Sequence, residues 1–410
     1  MQSEERLQRA LIFCHRNSIL SQWQGAAACL GLRLDLWNGP DSASENADGW
    51  LLSYQGAGRQ QDALKYELSR WNPELLLTIA DEAHHLGVDP EEPEGQVWGR
   101  TFLDLSSHAR LRLGLTGTPF RADNLAFCAA RRVRVEEAGQ LVEQIQPDLS
   151  VEPRELIEAG DVRPLEFRFQ DGWVEHGQDG IPDREVSPLS AEQRESWRAR
   201  NLRRAIRLSD SSSIAQLLLL RARTKLESVR QRHPRAGGLV IARDIEHARS
   251  ITLMLEEEGD RVDLVHSQDP GAPERLDGFQ GGDADWLVSI DMCAEGFDAS
   301  RLRVVAYLTT VVTRSRFVQG ITRAVRMCGE RASLEAVPRE PSYVFAPADP
   351  LLMQYARSWS LSEPYRIATP QDVEASDNTR GDNWRGPSLP MEALEDGAGA
   401  VIRVRTPQLR

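Results

Sequence analysis

The stretch ELLLTIADEAHH (residues 74–85) decides how the rest of the chain is read. Its first half is a continuous apolar run; its second half turns abruptly polar and charged. A strand apolar on both faces suits a parallel sheet covered by helices on each side. In such sheets functional groups collect at the strands' carboxyl ends. Asp81 and Glu82 are therefore expected at the lip of a sheet. There Asp81 could hold Mg²⁺, directly or through water, and Glu82 could orient and deprotonate an attacking water. A bare carboxylate pair after a strand is, taken alone, more often a solvated strand end.

Working outward, the same pattern recurs. Upstream lie RALIFCHRN (9–17), the helix-like SILSQWQGAAACLG (18–31) and the strand-like GWLLSYQ (49–55). Downstream, RLRLGLTGTP (110–119) is a further apolar strand, ending in hydroxyls and a glycine. Residues 149–169 read as helix, Gly-Asp turn and strand. Residues 170–195, rich in Gly, Pro and Asp, read as an insertion, and an arginine-rich helical stretch runs from 196 to about 233. A second alternation follows: GGLVIAR (237–243), RVDLVHS (261–267), DWLVSIDM (285–292), LRVVAYLTT (302–310) and SYVFAP (342–347). Two successive alternations predict two α/β domains. The expected division is a first domain over 1–165, a linker or insertion over 166–210, a second domain over 211–360, and a polar, partly disordered tail over 361–410. Within the tail one strand is possible at 400–405.

Composition narrows the field. The chain has 410 residues, 40% hydrophobic and 27% charged, too apolar for wholesale disorder and long enough for two or three cores. No apolar run reaches the roughly 20 residues of a membrane-spanning helix, and MQSEERLQRALIF lacks the layout of a signal peptide. Cys14, Cys29, Cys128, Cys293 and Cys328 form no CxxC pair, which argues against a zinc ribbon or disulfide framework and for a reducing cytoplasm. The net charge of −13 disfavours nucleic acid globally, but binding needs only a local basic face. Lys65 and Lys225 are the sole lysines; every other basic residue is arginine.

Thirty-five residues beyond Asp81 stands Thr116-Gly117-Thr118-Pro119. DEAH followed by TGTP resembles motifs II and III of superfamily 2 helicases and translocases, the DEAD/DEAH-box group. The second half is similar to that family in order as well. GGLVIARDIEHAR (237–249) resembles motif IV. DWLVSIDMCAEGFDASRLRVV (285–305) resembles motif V, with Gly296 and Asp298 at matching places, and Gln319-Gly320-Ile321-Thr322-Arg323-Ala324-Val325-Arg326 resembles motif VI. LIFCHRNSILSQW (11–23) resembles motif Ia, and LLSYQGAG (51–58) a later TYQ-type element. The resemblance spans about 9–347 and is closest to bacterial members with LTGTPFR, GGLVIA and SEGVD-like motifs. It implies two RecA-like domains with parallel sheets, ATP and Mg²⁺ as cofactors, and ATP hydrolysis driving movement on nucleic acid, DNA ahead of RNA. By that resemblance Asp81 holds the metal, Glu82 activates water, and Gln319 approaches the nucleotide with His84 as its partner. Gly296 and Asp298 line the cofactor, while Thr116, Gly117 and Thr118 couple hydrolysis to motion. Arg323 and Arg326, three apart and expected on one helix face, stabilise the transferring phosphoryl group. Arg16, Ser53, Tyr54, Gln55 and Arg243 would meet the sugar–phosphate backbone, which positions a strand without reading it. The segment WRARNLRRAIR (197–207) is either a basic stripe or a solvated helix paired with local carboxylates.

One element of the pattern is missing. A phosphate loop needs G-x-x-x-x-G-K-[ST], yet Lys65 lies in DALKYEL and Lys225 in RTKLES. The glycines of GAGRQQ (56–61) fall between motifs Ia and II, and arginine cannot replace the loop's lysine. Thr322 also stands where motif VI usually has glycine, and Ile290 where motif V often has threonine. The first domain is thus expected to be incomplete at its N-terminus, by truncation, by a loop supplied from a separate polypeptide, or by degeneration. The 410 residues alone are expected to hydrolyse ATP weakly or not at all. The competing reading is a non-catalytic nucleic-acid-binding or scaffold protein.

Overall fold

A computed structural model describes residues 7–42, 44, 46–87, 97–117, 131–137, 140–176, 185–192, 195–208, 213–266, 268–290, 299–327, 332–333, 335–361, 366–367 and 401–405. The chain divides into two compact units, Met1–Asp148 with Tyr365–Asp372, and Leu149–Pro364 with Val373–Arg410.

The first unit is built on strands β1 (Arg9–Cys14), β2 (Leu34–Leu36), β3 (Gly49–Ser53), β4 (Leu76–Asp81) and β5 (Leu111–Leu115). They form one sheet in the order β2-β3-β1-β4-β5, parallel throughout. Helices α1 (Asn17–Cys29), α2 (Tyr54–Arg59), α3 (Gln61–Leu68) and α4 (Val97–Ser106) cover it. Because successive strand residues point to opposite faces, β1 serves two cores. Leu11 and Phe13 pack with Trp50, Leu52, Leu64 and Phe102. Ile12 and Cys14 pack with Ile19, Leu20 and Ala27 of α1. Full burial of such a side chain stabilises by roughly 1.5–3 kcal/mol. Strands β6 (Arg132–Glu137) and β7 (Gln140–Ile145) form an antiparallel pair.

In the second unit, α5 (Pro153–Ala159) ends at Gly160, whose φ of +78° is the left-handed stop that glycine accepts without strain. This is the Gly-Asp turn read from the sequence. Strands β8 (Leu165–His176) and β9 (Glu185–Pro188) and helices α6 (Glu195–Ala205) and α7 (Ile214–Arg230) follow. After them come β10 (Gly237–Ala242), α8 (Ile245–Glu257), β11 (Val262–Val265), α9 (Ala272–Gly281), β12 (Trp286–Ser289) and β13 (Leu302–Leu308). The unit continues through α10 (Arg314–Ile321), β14 (Ser342–Pro347) and α11 (Pro350–Leu361). The sheet order β11-β12-β10-β13-β14-β8 is parallel. Strand β10 divides its side chains as β1 does: Leu239 and Ile241 enter one core, Val240 and Ala242 the other. Of the tail, Arg366–Ile367 (β15) pairs antiparallel with β7, and Val401–Arg405 (β16) pairs antiparallel with β8.

The fold class is the α/β pair of parallel-sheet units expected from the sequence. The region 166–210, expected as linker or insertion, contributes β8, β9 and α6 to the second unit. Its arginine-rich helix is neither a free stripe nor a solvated face. Asn201 and Leu202 are buried, and Arg198 is buried in an ion pair of 3.0 Å with wholly buried Asp349. Burial pushes the Asp349 carboxyl above the ordinary range while Arg198 opposes the shift. No helix among the described residues is long and apolar enough to cross a membrane.

Candidate functional site

The carboxyl ends of β1, β3, β4 and β5 gather the candidate residues of the first unit. Strand β4 ends at Asp81, and the next residue, Glu82, has φ 51° and ψ 51°. It is the single non-glycine residue with positive φ among those described. That conformation costs an L-residue roughly 1–2 kcal/mol, and strain of this kind concentrates at functional positions. A 3₁₀ turn, Ala83–His85, follows at once.

Three donors fix the strand end. The Trp23 indole N–H donates to Asp81 Oδ2 at 2.7 Å, the Glu82 amide donates to Asp81 Oδ1 at 2.9 Å, and the Tyr54 hydroxyl donates to the Asp81 carbonyl at 2.7 Å. A carboxylate has about four lone-pair sites, so two remain after these two side-chain contacts, enough for a cation or its water. His84, almost wholly buried, sets its Nδ1 3.0 Å from Thr116 Oγ1 and 3.3 Å from Glu82 Oε2. With its proton on Nδ1 the ring joins the ends of β4 and β5 as a donor. His15 and His85 stack with centroids 3.8 Å apart, and the Trp98 ring lies 5.6 Å from His15. Burial and the charge of Asp81 push the Cys14 thiol up, so Cys14 is inert packing, whereas Cys29 is exposed.

The structure refines several expected roles in this unit. Ser53 caps α2, its Oγ accepting the Gly56 N–H at 3.0 Å. Tyr54 is 1% exposed, so the expected backbone contact is corrected: a ring sealed in the core positions Asp81 and offers no surface. Gln55 is exposed and Arg16 half-buried. Gly117 is exposed, and Thr118 lies outside the described residues.

In the second unit Gln319 lies on α10, and Arg323 lies in a 3₁₀ turn, Thr322–Val325. Arg326 follows in extended conformation, φ −65° and ψ 141°. The shared helix face expected for the two arginines is therefore corrected. The helix tightens at Thr322, whose hydroxyl donates back to the Val318 carbonyl at 2.8 Å, and stops before Arg326. Arg323 is 4% exposed and Gln319 8%, while Arg326 is half-buried. Gly320 packs closely here: a Cβ would stand 2.6 Å from Ile241 Cδ1, so that side chain would have to shift. Arg243 is half-buried and pairs with its neighbour Asp244, which caps α8 by accepting the His247 N–H at 2.8 Å. Gly296 and Asp298 lie outside the described residues.

Two residues that sequence reasoning missed hold these segments. Trp23 carried no signal beyond its place in an apolar helix. Arg163, wholly buried, donates to Glu335 at 2.7 and 3.0 Å and to the carbonyls of Ser300 and Arg326, each at 3.0 Å. Its amide also donates to the Val325 carbonyl at 2.9 Å. It thereby clamps the exit of the arginine turn to the start of β13. Nothing in GDVRPLE announced this. Burial and the nearby Arg163 charge lower the Arg303 guanidinium to about 10.

Residues 1–121 match the family of the type III restriction enzyme, res subunit. Over 373 residues the chain is 31% identical to the uncharacterized protein Rv2917 of Mycobacterium tuberculosis, a match covering 88% of this chain and 57% of that protein. A relative from Mycobacterium leprae is 31% identical over 371 residues with the same coverage. The chain thus spans little more than half the length of these curated relatives. Among solved structures, a fragment assigned as an HsdR subunit of a type I restriction enzyme from Vibrio vulnificus YJ016 superposes with a TM-score of 0.51. The identity is 17%, over 87% of this chain and 56% of that one. At that identity the likeness is one of fold.

Proposed function

We propose that this chain is part of a nucleic-acid-dependent ATPase of the helicase and translocase type, acting on DNA ahead of RNA. The observation that carries the reading is the Glu82–His84–Thr116 constellation, with Glu82 in strained backbone at the end of a buried parallel strand. The res-subunit match over the residues that contain it lends further support.

The roles follow from chemistry. Glu82 accepts the proton of an attacking water, and His84 holds that carboxylate in register with Thr116. Asp81 suits Mg²⁺, which needs one or two carboxylates besides substrate phosphates. When bound, ATP with Mg²⁺ supplies the phosphoryl group and part of the charge compensation. Arg323 and Arg326 furnish positive charge for the transition state, an effect that can reach roughly 10³–10⁵ in rate. Arg16, Gln55 and Arg243 contact the nucleic-acid backbone, and Gly296, Asp298 and Thr118 keep the roles the resemblance implies. The phosphate cradle does not fit these 410 residues, since no lysine stands in G-x-x-x-x-G-K-[ST]. That observation favours the second reading, a nucleic-acid-binding or scaffold protein without turnover.

The test is ATP turnover with single-stranded DNA and RNA, on this chain alone and joined to the segments of a longer mycobacterial relative that it does not span. Turnover is expected in the joined protein, at least 100-fold reduced by Glu82→Gln, a loss in keeping with general-base catalysis. None is expected from the chain alone. A joined protein that binds nucleic acid but never hydrolyses ATP would favour the second reading.

A further inference from the structure

Strand β5 closes one end of the first unit's sheet, and among the described residues β4 is the one strand paired with it. In a parallel pair alternate residues turn their amides and carbonyls to a given neighbour, so about half of those on β5 face away from β4. Edges of this kind are ordinarily blunted by shortness or charge. The opposite edge is: β2 has three residues, and Asp35 at its centre pairs with Arg33 at 3.2 Å. Strand β5 instead reads Leu-Arg-Leu-Gly-Leu. Leu111 is 39% exposed and Leu113 44%, and Arg112 and Gly114, which point to the other face, are exposed as well.

A parallel sheet is covered on both faces, and the two cores of this unit take in β1, β3 and β4 from either side. Of β5, Leu115 alone packs against them, half-buried. The strand has the composition of an interior strand without an interior's cover. A glycine inside a strand marks a place where another backbone approaches closely. A parallel neighbour cannot reach β5 through a tight turn; it arrives with a crossover, usually a helix. Register sets where such a strand ends. Leu115 stands opposite Asp81, and the next residue, Thr116, has its Oγ1 3.0 Å from His84 Nδ1. With strands about 4.8 Å apart, a parallel neighbour of β5 finishes roughly 10 Å from Asp81 and releases its following loop beside Thr116.

We propose that the free edge of β5 receives a parallel strand from a segment outside these 410 residues, and that this segment carries the phosphate loop. Such a loop is built as strand, G-x-x-x-x-G-K-[ST] and helix. One segment therefore fills the edge, delivers loop amides beside Thr116, and brings a helix to cover a face. No G-x-x-x-x-G-K-[ST] occurs in the 410 residues, whereas the Mycobacterium tuberculosis relative is matched over 57% of its length and has further chain to supply one. A second copy of this chain answers the exposed leucines less well. It meets β5 about a two-fold axis, which pairs the strands antiparallel, and it lacks the loop as the first copy does. The proposal rests on the ATP half of the function above and is independent of the nucleic-acid half.

The experiment compares amide hydrogen exchange in the 410-residue chain and in the chain joined to the segments of the Mycobacterium tuberculosis relative that lie outside the match, both without nucleotide. Exchange at 112–115 is expected to be fast in the chain alone and roughly tenfold slower or more in the joined protein, with 34–36 of β2 unchanged. Matching protection is expected in the residues just before the G-x-x-x-x-G-K-[ST] of the joined segment, and a segment without that motif overturns the proposal. Leu111→Glu/Leu113→Glu sets two charges where the incoming helix should lie. In the 410-residue chain, where both positions are exposed, this variant should melt with the parent; in the joined protein it should lose the added protection. The exchange comparison itself needs no variant, so it decides the outcome even where the double substitution fails to fold. Unchanged exchange at 112–115 on joining overturns the proposal. So does protection already present in the chain alone, whether from its own residues or from a second copy detected by sedimentation. Protection without ATP turnover upholds the docked strand and removes the ATPase reading; turnover without protection does the reverse.

Discussion

Glu82 concentrates the residue-scale argument. Its left-handed backbone gives a substitution test independent of activity. Glu82→Gly removes the roughly 1–2 kcal/mol of side-chain crowding and is offset in part by the greater freedom of glycine when unfolded. We predict a urea midpoint no lower than that of the parent, and a clearly lower one for Glu82→Val, whose branched Cβ suits this region least. The opposite order would mean that the backbone there is not left-handed. Trp23→Phe keeps the ring and deletes the donor to Asp81. Since a hydrogen bond to a charged group contributes about 1.5–3 kcal/mol when well buried, and Trp23 is half-buried, the low end of that range is expected in chemical denaturation. The acidic pair itself was legible from sequence because it follows an apolar run. The indole above it was not, because Trp23 and Asp81 are 58 residues apart and only the sheet brings α1 over β4.

At the scale of elements, the arginine turn depends on a partner far away in the chain. Arg163→Met leaves Glu335 with only the longer Arg303 contact, at 3.4 Å, and takes the guanidinium donor from the carbonyls of Ser300 and Arg326. Breaking one side of a buried ion pair costs about 3–5 kcal/mol, and hydrogen exchange should accelerate at 322–326 before the rest of the unit. Uniform protection across the second unit would show that Arg163 is not the clamp. Helix α8 carries a pH dependence. His247 Nδ1 accepts the Arg243 N–H at 3.3 Å, so Nε2 bears the proton and donates to the Ile206 carbonyl at 2.7 Å. Burial keeps this imidazole below its ordinary 6.5. The unfolded chain therefore takes up the proton first as pH falls. Stability is fully present above about 6.5 and declines below it. Urea midpoints at pH 7.5 and 5.5 should differ in the parent, and the difference should shrink in His247→Gln. Motif VI shows how far an element is legible: the sequence placed Arg323 and Arg326 in it, but whether the helix survives to Arg326 depended on Thr322 bonding back to Val318.

At the scale of the whole molecule, among the described residues each core cluster draws its buried residues from one unit. Residues 149–410 should therefore fold when expressed alone and unfold in one cooperative step, checked by coincident circular dichroism and fluorescence transitions. A molten, non-cooperative fragment would show that the second unit needs the first. Acid unfolding of this unit should have a further phase, because Arg261 and Arg230 hold Asp285 at about 2, against burial that raises it. A depressed carboxyl contributes stability above its unfolded value of 3.8, lost as pH falls from there toward 2. The two-unit plan was readable because each sheet advertises itself by repeated apolar runs. The boundary was not, because β8 and α6 are rich in arginine and glutamate that disguise a buried face.

The amino-acid sequence by itself determined most strands of the two parallel sheets and the carboxylates and arginines near their ends, but not β2, β6, β7 or β9. Apolar periodicity and the polar residues that interrupt it are local properties. Tertiary structure alone decided which of those polar groups are sealed and which are presented. It buried Tyr54, Arg163, Arg198 and Arg323 and left Gln55 exposed, because burial and partner geometry arise from segments distant in sequence packing into one volume.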